Sequence, residues 1–473
     1  MNFPIKSLTV GALFLTCAAT VLAEDKKLDL DECIAIALSD NPTIKIADRE
    51  VDRVDYSKKE IIGQLLPTID FGATYNRMLA KQVMYMNMDG LGDFGGMGGG
   101  NNSGDNDEAN TSRAGKGGDG GIKVGLDNSY SMGFNAALPL IAPQLWKSLS
   151  LSDSQILLSV GQAHNSRLEM VNQVKSAYYT LMLAEDSRRV IQESYDMAAL
   201  NHEIYSKKFA AGAASDYDVL RTSVAMKNIE PELLQADVAI KQARLQLLIL
   251  MGLDSSYDLR ISGRLADYES TMYENIIAID RDYSNNPQLR LNTIQSKILD
   301  QTVKVQKMAW SPTLALTANY NWTSMSNGSP FRNFRWNPYS TIGLSLSVPI
   351  FQGGNRWNRI KQAEIQAEEM TWQRENLERS VAMQVDLAVD NIGINVRQIS
   401  SCSESVAQAE RAHSIMEKSF EIGAATYLDL RDSELALTRA RLAYFQAIYN
   451  YLVANSELEL LLGNAPLDKY EKK

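Results

Sequence analysis

The sequence predicts a mainly α-helical fold that also carries the strands of a membrane β-barrel. Two observations indicate this fold: segments in which apolar and polar residues alternate strictly, and proline-free segments of roughly 65 residues in which apolar residues recur every three or four positions. A third observation is that the whole order of segments occurs twice along the chain. We therefore expect a tandem repeat in which each copy has two strands and two long helices.

Composition and the first residues predict export. The chain has 473 residues and a net charge of −10, and this acidic balance argues against nucleic acid as a partner. Lys6, the apolar run from Leu8 to Ala23 and the small side chains before Glu24 are typical of a secretory signal peptide. We expect residues 1–23 to be cleaved, which removes one lysine and no acid and leaves −10 − 1 = −11. No later stretch is apolar enough for a transmembrane helix, so a periplasmic protein, an extracellular protein or an outer-membrane barrel is expected.

The reactive side chains do not indicate an enzyme. The cysteines that remain after cleavage, Cys33 and Cys402, are far apart and form no C-x-x-C motif, so we expect neither a disulfide framework nor a metal knuckle. The histidines, His164, His202 and His413, lie in predicted helices without a metal-binding spacing. We expect no catalytic residue, no cofactor and no resident metal, and we expect the histidines to be ordinary helix residues.

The first copy of the repeat begins with helices and continues with a β-hairpin. Residues 24–66 predict two helices separated by an Asp-Asn-Pro cap. Residues 67–140 predict the first hairpin of the barrel, with a polar, glycine-rich loop over 87–121 that cannot bury a core. The second strand of this hairpin is Ile122–Leu138, which alternates over about 17 residues, far beyond the usual ~5–6 residues of a globular strand. Small polar side chains on its second face suit a barrel wall between lipid and water.

The first copy ends with a long helical hairpin over residues 141–252. We expect one helix to about Lys208, a tight break around Gly212, and a return helix that Pro231 kinks and Gly252 terminates.

The second copy repeats this order. The break Phe209-x-x-Gly212-Ala-Ala matches Phe420-x-x-Gly423-Ala-Ala at an offset of 211 residues. Four prolines lie where a predicted helix meets a predicted strand: Pro67, Pro139, Pro312 and Pro349. Each is expected to end one of these two elements and begin the other. The predicted segments are an inter-repeat segment over 253–286, a helix over 287–311, the second β-hairpin over 312–350, the second helical hairpin over 351–463 and a tail over 464–473.

The number of strands predicts an oligomer. One chain has four strands, too few for a barrel, since closure takes at least about eight. Lipid excludes open strand edges because their backbone groups are unpaired. A trimer supplies 3 × 4 = 12 strands, and cyclic symmetry is usual for homo-oligomers. We therefore expect a trimeric 12-stranded barrel in outer-membrane lipid, continued by a tube of the long helices. Strand-end aromatic residues fit interfacial girdles: Tyr75, Tyr130, Tyr320, Trp322 and Trp336.

Two other classes of protein remain open from the residues alone. A periplasmic helical scaffold shares the helical hairpins, but it has no need for long strands with an apolar face. A surface adhesin-like barrel would use the glycine-rich loop as its functional part.

Several motifs together resemble those of the TolC-like outer-membrane efflux protein family. They are LDECIAIALSDNP, LPTIDFGATY, SPTLALTANY, VPIFQGG and the paired F-x-x-G-A-A breaks. The resemblance implies a homotrimer whose outer-membrane barrel is continued by a long periplasmic α-helical barrel, with an equatorial belt built from the termini and the inter-repeat segment. It also implies the exit duct of a tripartite efflux pump, which passes drugs or other small molecules. The partners implied are a periplasmic adaptor (membrane fusion protein) and an inner-membrane transporter of the RND or ABC type. The alternative within this family is a duct for type I protein secretion.

The resemblance also implies a periplasmic entrance at the two helix breaks. In the family, the helical hairpins converge and close there, and acidic residues after the second break line the opening. Asp429 and Asp432 are three residues apart on one helix face, so three copies would gather six carboxylates, which favour cations and could be blocked by multivalent ones. Asp218 matches Asp429 by position. The alternative role of these aspartates is to stabilise helix N-termini.

The remaining gate residues are Gly212, Gly423 and Phe420. Some relatives hold the closed state with a tyrosine and an arginine, at positions occupied here by Phe420 and Ala425. We therefore expect packing and different polar contacts to hold this gate, with Tyr427 or Arg431 as candidates.

Overall fold

A computed structural model describes residues 27–84, 122–269, 281–327 and 335–471. The predicted signal peptide and the glycine-rich loop over 87–121 lie outside the described residues, as does part of the inter-repeat segment. The chain divides into two compact units. The helical unit comprises the described residues of 27–55, 153–299 and 365–471, and the strand unit comprises those of 56–152 and 300–364.

The helices begin and end at the residues that their sequence signals favour. Proline is the first residue of three of them, where its fixed φ suits a helix and its missing N–H costs nothing. Among the described residues, no helix has the length and apolarity needed to cross a bilayer. The helices are α1 Leu30–Asp40, α2 Pro42–Gly63, α3 Pro143–Ala210, α4 Asp216–Lys227, α5 Glu230–Met251, α6 Pro287–Met308, α7 Asn355–Glu421, α8 Tyr427–Leu462 and α9 Leu467–Glu471, with a 3-10 turn over Leu265–Tyr268.

The strand unit contains an antiparallel sheet. Its strands are β1 Thr68–Arg77, β4 Asn128–Ile141, β5 Thr313–Ser326 and β6 Asn337–Ser347, in the order β1-β4-β5-β6. Two short strands, β2 Gln82–Met84 and β3 Ile122–Val124, pair separately. The outer strands β1 and β6 are exposed along their whole length, whereas β4 and β5 are partly buried.

The structure corrects three details of the sequence-based expectations. The strand expected over 122–138 is two strands, because Gly125 has a φ of 107° and interrupts the extended backbone although the alternation continues through it. Pro139 does not end a strand: β4 continues to Ile141 across a register shift, where the missing proline N–H is tolerated. The return helix is divided into α4 and α5, and Pro231 lies in the first turn of α5.

The helical unit holds the main hydrophobic core. Its largest fully buried side chains include Tyr178, Leu247, Leu248 and Ile392, contributed by α3, α5 and α7. An isolated parallel bridge joins Leu28 to Ile261. The core therefore gathers helices from both halves of the chain.

Two buried asparagines join helix ends within this unit. Asn41, before α2, donates its side-chain N–H to Leu250 O at the end of α5 (2.7 Å) and accepts from Thr43 N–H (2.7 Å). Asn286, before α6, donates to Leu461 O at the end of α8 (2.7 Å) and accepts from Leu289 N–H (3.0 Å). Each asparagine thus satisfies a free carbonyl of one helix and a free N–H of the next, at ends that have no partner within their own helix.

Candidate functional site

The first break closes α3 with a glycine turn. Gly212 N–H donates to Phe209 O (2.8 Å) and Ala213 N–H donates to Lys208 O (2.7 Å). This pair of bonds is a Schellman turn, which needs a left-handed residue at its centre. Gly212 has a φ of 71° and meets that need without the steric cost that a Cβ would add.

The second break has the same geometry. Gly423 N–H donates to Phe420 O (3.0 Å), Ala424 N–H donates to Ser419 O (2.8 Å), and the φ of Gly423 is 79°. A Cβ built on Gly423 or on Gly212 would meet no atom within 4 Å. The backbone conformation, and not a lack of space, therefore accounts for glycine at both positions.

A hydroxyl and an aspartate start the helix after each turn. Ser215 Oγ donates to Asp218 Oδ2 (2.6 Å) and accepts from Asp218 N–H (3.2 Å). Thr426 Oγ1 and Asp429 make the same pair, at 2.6 and 3.3 Å. The bonds from these hydroxyls, and next those from the backbone N–H groups, hold the pKa of both carboxyls below its usual value. Asp218 and Asp429 are thus the third helical residues of two capping boxes, in which Ser215 and Thr426 are the N-caps.

The two turns differ in the charge that follows the cap. Asp432 is exposed, three residues after Asp429. At the offset of 211 residues, the position of Asp432 corresponds to Arg221 in the first copy. The second turn thus presents acid where the first presents base.

An aromatic cluster joins the two hairpins close to the turns. Tyr205 of α3 lies with its ring centroid 6.3 Å from Phe420 of α7 and 5.4 Å from Tyr427 of α8. Lys208 Nζ lies over the rings of Tyr205 (5.3 Å) and Phe420 (5.5 Å), and the Arg221 guanidinium lies 5.1 Å from the Tyr427 ring. A cation over a ring face contributes about 0.5–2 kcal/mol, depending on how much water is excluded. The cluster therefore holds one hairpin against the other by packing and cation–π contact.

A buried polar pair lies along the same helices. Asn201 donates its side-chain N–H to Glu434 Oε1 (3.0 Å), and both side chains are buried. Burial raises the pKa of the Glu434 carboxyl, against the lowering effect of Asn201 and Arg431. The pair links α3 to α8 across 233 residues of sequence.

A histidine and a hydroxyl connect the two helices of each hairpin. His202 Nδ1 lies 3.1 Å from Thr222 Oγ1, and His413 Nδ1 lies 3.2 Å from Ser433 Oγ. Each member of the first pair precedes its counterpart by 211 residues, the offset of the repeat. Two of the histidines expected to be ordinary helix residues thus make a duplicated contact, and their equal spacing was the signal that sequence reasoning missed.

The structure brings only part of the predicted site together. It places Gly212 and Gly423 at the turns and Asp218 and Asp429 in the caps, and it joins Phe420 to the first hairpin through Tyr205. Sequence reasoning missed Tyr205, Asn201 and Glu434, because nothing in a helical sequence shows which distant helix a side chain meets. Tyr427, one of the two candidates for a gate contact, lies in the cluster. No group of histidine, cysteine, aspartate or glutamate side chains suited to a metal ion is present in the described part of the chain.

Comparison with known proteins identifies a family. The model of the outer membrane efflux protein family matches residues 33–253 and 278–464. The outer membrane protein TolC of Vibrio cholerae is 21% identical over 340 residues, which cover 70% of this chain and 76% of that protein. The cobalt-zinc-cadmium resistance protein CzcC of Cupriavidus metallidurans is 24% identical over 294 residues, 62% of this chain and 67% of that protein. The alkaline protease secretion protein AprF of Pseudomonas aeruginosa is 22% identical over 346 residues, 71% of this chain and 70% of that protein.

Solved structures share the fold. The Campylobacter jejuni CmeC outer membrane channel matches with a TM-score of 0.68 at 17% identity, over 94% of this chain and 89% of that chain. The open state of the Neisseria gonorrhoeae MtrE outer membrane channel matches with a TM-score of 0.67 at 18% identity, over 92% of this chain and 88% of that chain.

Proposed function

We propose, because this chain belongs to the outer membrane efflux protein family, that three copies of it form the exit duct of a tripartite efflux pump. The family places the chain in the outer membrane as an efflux channel. In the proposed pump, drugs or other small molecules pass from an inner-membrane RND or ABC transporter and a periplasmic adaptor, through the trimer, to the outside.

The observation that carries the proposal is the four-stranded sheet with two exposed outer strands. β1 and β6 each pair on one side within the described residues, and both are exposed along their length. In lipid, the backbone groups of such edges need partners. Pairing β1 of one copy with β6 of the next closes three sheets into 3 × 4 = 12 strands.

Exposed apolar residues on the helices support contact between copies. Leu234 and Val238 of α5 are 66% and 65% exposed, one helical turn apart. On α7, Met383, Leu387 and Ile394 are 54–59% exposed at spacings of four and seven residues. Such a row on one face of a helix is typical of packing against another helix.

The trimer is tested by mass and conductance. Native mass spectrometry of the protein in detergent is expected to give three chains per particle, and planar bilayers are expected to show discrete channel openings. A monomeric particle without channel activity would contradict the duct.

We place the entrance of the duct at the second turn. Asp429 and Asp432 from three copies supply 3 × 2 = 6 carboxylates. The aromatic cluster of Tyr205, Phe420 and Tyr427 fits a resting gate held by packing, in place of the tyrosine and arginine contacts of some relatives. Gly212 and Gly423 would set where the hairpins turn.

The entrance is tested by cation block of the channel. Asp432→Asn and Asp429→Asn are expected to weaken block of the channel by divalent cations added on the periplasmic side of the membrane. Asp218→Asn is the matched control, since Asp218 caps its helix in the same way as Asp429 but lies in the first turn. Equal block of the channel in all three variants would contradict the proposal that Asp429 and Asp432 form a carboxylate ring.

The cargo is tested in a deletion strain. We expect increased sensitivity to drugs or metals, restored by the intact gene, and capture of a periplasmic adaptor with the tagged protein. Unchanged sensitivity with loss of a secreted protein would favour type I secretion; the relative AprF is an alkaline protease secretion protein.

A further inference from the structure

A groove runs along the first helical hairpin between α3 and α5. It has a volume of about 770 Å³, and the buried residues Ala236 and Ala243 of α5 form part of its floor. A recess of about 320 Å³ shares Thr180, Ala243 and Gln246 with the groove and extends it along the same two helices. Pockets that hold small organic molecules have volumes of roughly 300–1,000 Å³. The groove is therefore large enough for a molecule of this kind.

The lining of the groove combines apolar and hydrogen-bonding side chains. Leu183 and Ile191 of α3 line it together with alanines of α5. Hydroxyls and amides lie among them: Thr180, Ser187, Gln235, Gln242 and Gln246. Among the described residues that line the groove, Glu232 is the only charged one, and it is exposed in the first turn of α5. Such a lining suits an amphiphilic molecule, and the carboxylate favours one with a positive charge.

The groove lies on the side of the hairpin that is turned away from the inter-repeat segment. That segment donates a backbone N–H to Asp186 of α3 (3.1 Å) and places a carboxylate 4.0 Å from Arg244 of α5. Because successive residues of a helix are about 100° apart, Ile191 lies about 140° around α3 from Asp186. By the same spacing, Gln242 lies about 160° around α5 from Arg244. Both walls of the groove thus point away from the segment.

In the proposed duct, the groove faces the passage. A segment packed against the inner side of the helices would obstruct the passage, so the inter-repeat segment lies on the outer side. The groove, on the opposite side of the same two helices, then lies on the inner side. A molecule that moves through the duct would pass directly over it.

The second hairpin does not repeat the lining of the groove. At the offset of 211 residues, the counterpart of Ala239 is Asn450, and Ser187 corresponds to Gln398. Each counterpart is the larger side chain, so the equivalent position between α7 and α8 offers less room. We therefore expect one site per chain, in the first hairpin.

We propose that the groove is a binding site for amphiphilic organic cations in the wall of the duct. Its apolar walls take the body of the molecule, its amides and hydroxyls take the polar groups, and Glu232 takes the positive charge. A site within a passage must also release what it binds, and an open groove with one exposed carboxylate binds weakly enough for release. This inference rests on the proposed duct and names a class of cargo that its wall would retain.

Dye binding to the full-length protein tests the site. The probes are pyronin Y, a cationic xanthene dye, and fluorescein, an anionic one. Each is titrated against the protein in phosphatidylcholine nanodiscs, and the change in fluorescence anisotropy is corrected with empty nanodiscs. We expect saturable binding of pyronin Y at one site per chain and no saturable binding of fluorescein. Saturable binding of both dyes would contradict the role of the charge.

Two pairs of variants locate the bound dye. Ala239→Leu, which fills the groove, is expected to weaken pyronin Y binding by about tenfold or more, as overfilling of a fitted space does. Asn450→Leu, at the equivalent position of the second hairpin, is the matched control and is expected to leave binding unchanged. Glu232→Gln is expected to weaken binding by about twofold to fivefold, the size of one exposed charge contact. Glu230→Gln removes the other acid of the same helical turn and is expected to have no effect.

The outcomes separate the groove from the duct. Channel openings in planar bilayers without saturable binding of pyronin Y would overturn the site and leave the duct intact. Equal binding in Ala239→Leu and Asn450→Leu would place the dye elsewhere and would also overturn the site. Loss of the three-chain particle in Ala239→Leu would show that a helix of the next copy fills the groove. Dye bound in the groove without a fall in single-channel conductance would place the groove outside the passage, and absence of channels and trimers would contradict the duct itself.

Discussion

Replacing Asn286 by alanine is expected to loosen the junction between α8 and α6. The last four carbonyls of a helix have no partner within the helix. At the end of α8, Asn464 N–H donates to Glu459 O (3.1 Å) and Gly463 N–H donates to Leu460 O (3.1 Å). The Asn286 side chain donates to the next carbonyl, Leu461 O. Alanine leaves that carbonyl without its partner and also removes the cap of α6.

The size of the effect follows from these two losses. Loss of an asparagine N-cap costs about 1 kcal/mol, and a partly buried carbonyl left without a donor costs about 1–3 kcal/mol. Their sum, about 2–4 kcal/mol, corresponds to a rise in local opening of about 30-fold to 1000-fold, since each 1.36 kcal/mol is a factor of ten. Asn286 is only 2% exposed, so water does not readily replace the lost bonds.

Hydrogen exchange measured by mass spectrometry tests this expectation. Peptides spanning the start of α6 and the end of α8 are expected to exchange faster by that factor in Asn286→Ala, while α2 keeps its protection. Asn286→Ser keeps an oxygen for the cap but is too short to reach Leu461 O, so it separates the two losses. Asn41→Ala is expected to repeat the effect at α5 and α2. Unchanged exchange in Asn286→Ala would refute both contributions, wild-type exchange in Asn286→Ser would refute the contribution of the carbonyl bond, and equal exchange in the serine and alanine variants would refute the contribution of the cap.

Three further substitutions test other parts of the molecule. Gly133→Ala is expected to lower the yield of folded protein, because a Cβ at this position would overlap the Asn321 side chain and backbone. Gly72 lies opposite Gly133 in the sheet, and a Cβ on Gly72 would meet no atom within 4 Å, so Gly72→Ala is expected to leave the yield unchanged. Both yields are quantified after extraction. The pKa of Asp429 in the folded protein lies below the usual aspartate pKa of about 3.8, so the ionised carboxylate stabilises the second turn at pH values above about 3.8. This stability is lost as the pH falls through the pKa of the folded state. Amide hydrogen exchange in the second turn, corrected for the intrinsic exchange rate at each pH, should therefore be constant from about pH 8 to 5 and rise below about pH 4. Asp429→Asn should remove this rise at low pH. Tyr205→Ala is expected to raise the resting conductance in planar bilayers, whereas Tyr205→Phe, which keeps the ring, is not; equal conductance of the two would exclude the ring as a gate contact.

Local features were largely predictable from the sequence. Alternation located β1, β5 and β6, and the F-x-x-G motif located Gly212 and Gly423, since both signals depend on residues that are close in the chain. The two misplaced strand ends have local causes that alternation does not contain. A glycine at positive φ interrupts a strand without breaking the pattern of polarity, and a proline at a register shift does not end one.

Contacts between distant helices were not predictable. Asn286 meets Leu461 across 175 residues, and Asn201 meets Glu434 across 233. The Asn-Pro pair showed that a helix begins there, but it did not show that the same side chain ends another helix. Such a bond depends on which helices stack in three dimensions, and a pattern of helical spacing is compatible with many stackings.

The two copies of the repeat agree where each hairpin must build its own backbone, and they differ where one hairpin meets the other. The glycine turn, the hydroxyl–aspartate cap and the histidine–hydroxyl contact are duplicated, because each hairpin needs them to fold. Of the residues that reach between hairpins, Tyr205 corresponds to Met416 and Arg221 to Asp432, so these two are not duplicated, whereas Phe420 corresponds to Phe209. A contact between two hairpins in one chain has no symmetry partner within that chain, so its two sides can change separately. We therefore expect the chemistry that distinguishes this channel from its relatives to lie at these unlike positions. The double variant Arg221→Asp/Asp432→Arg, which swaps the two side chains, should alter block of the channel by divalent cations without altering the two glycine turns.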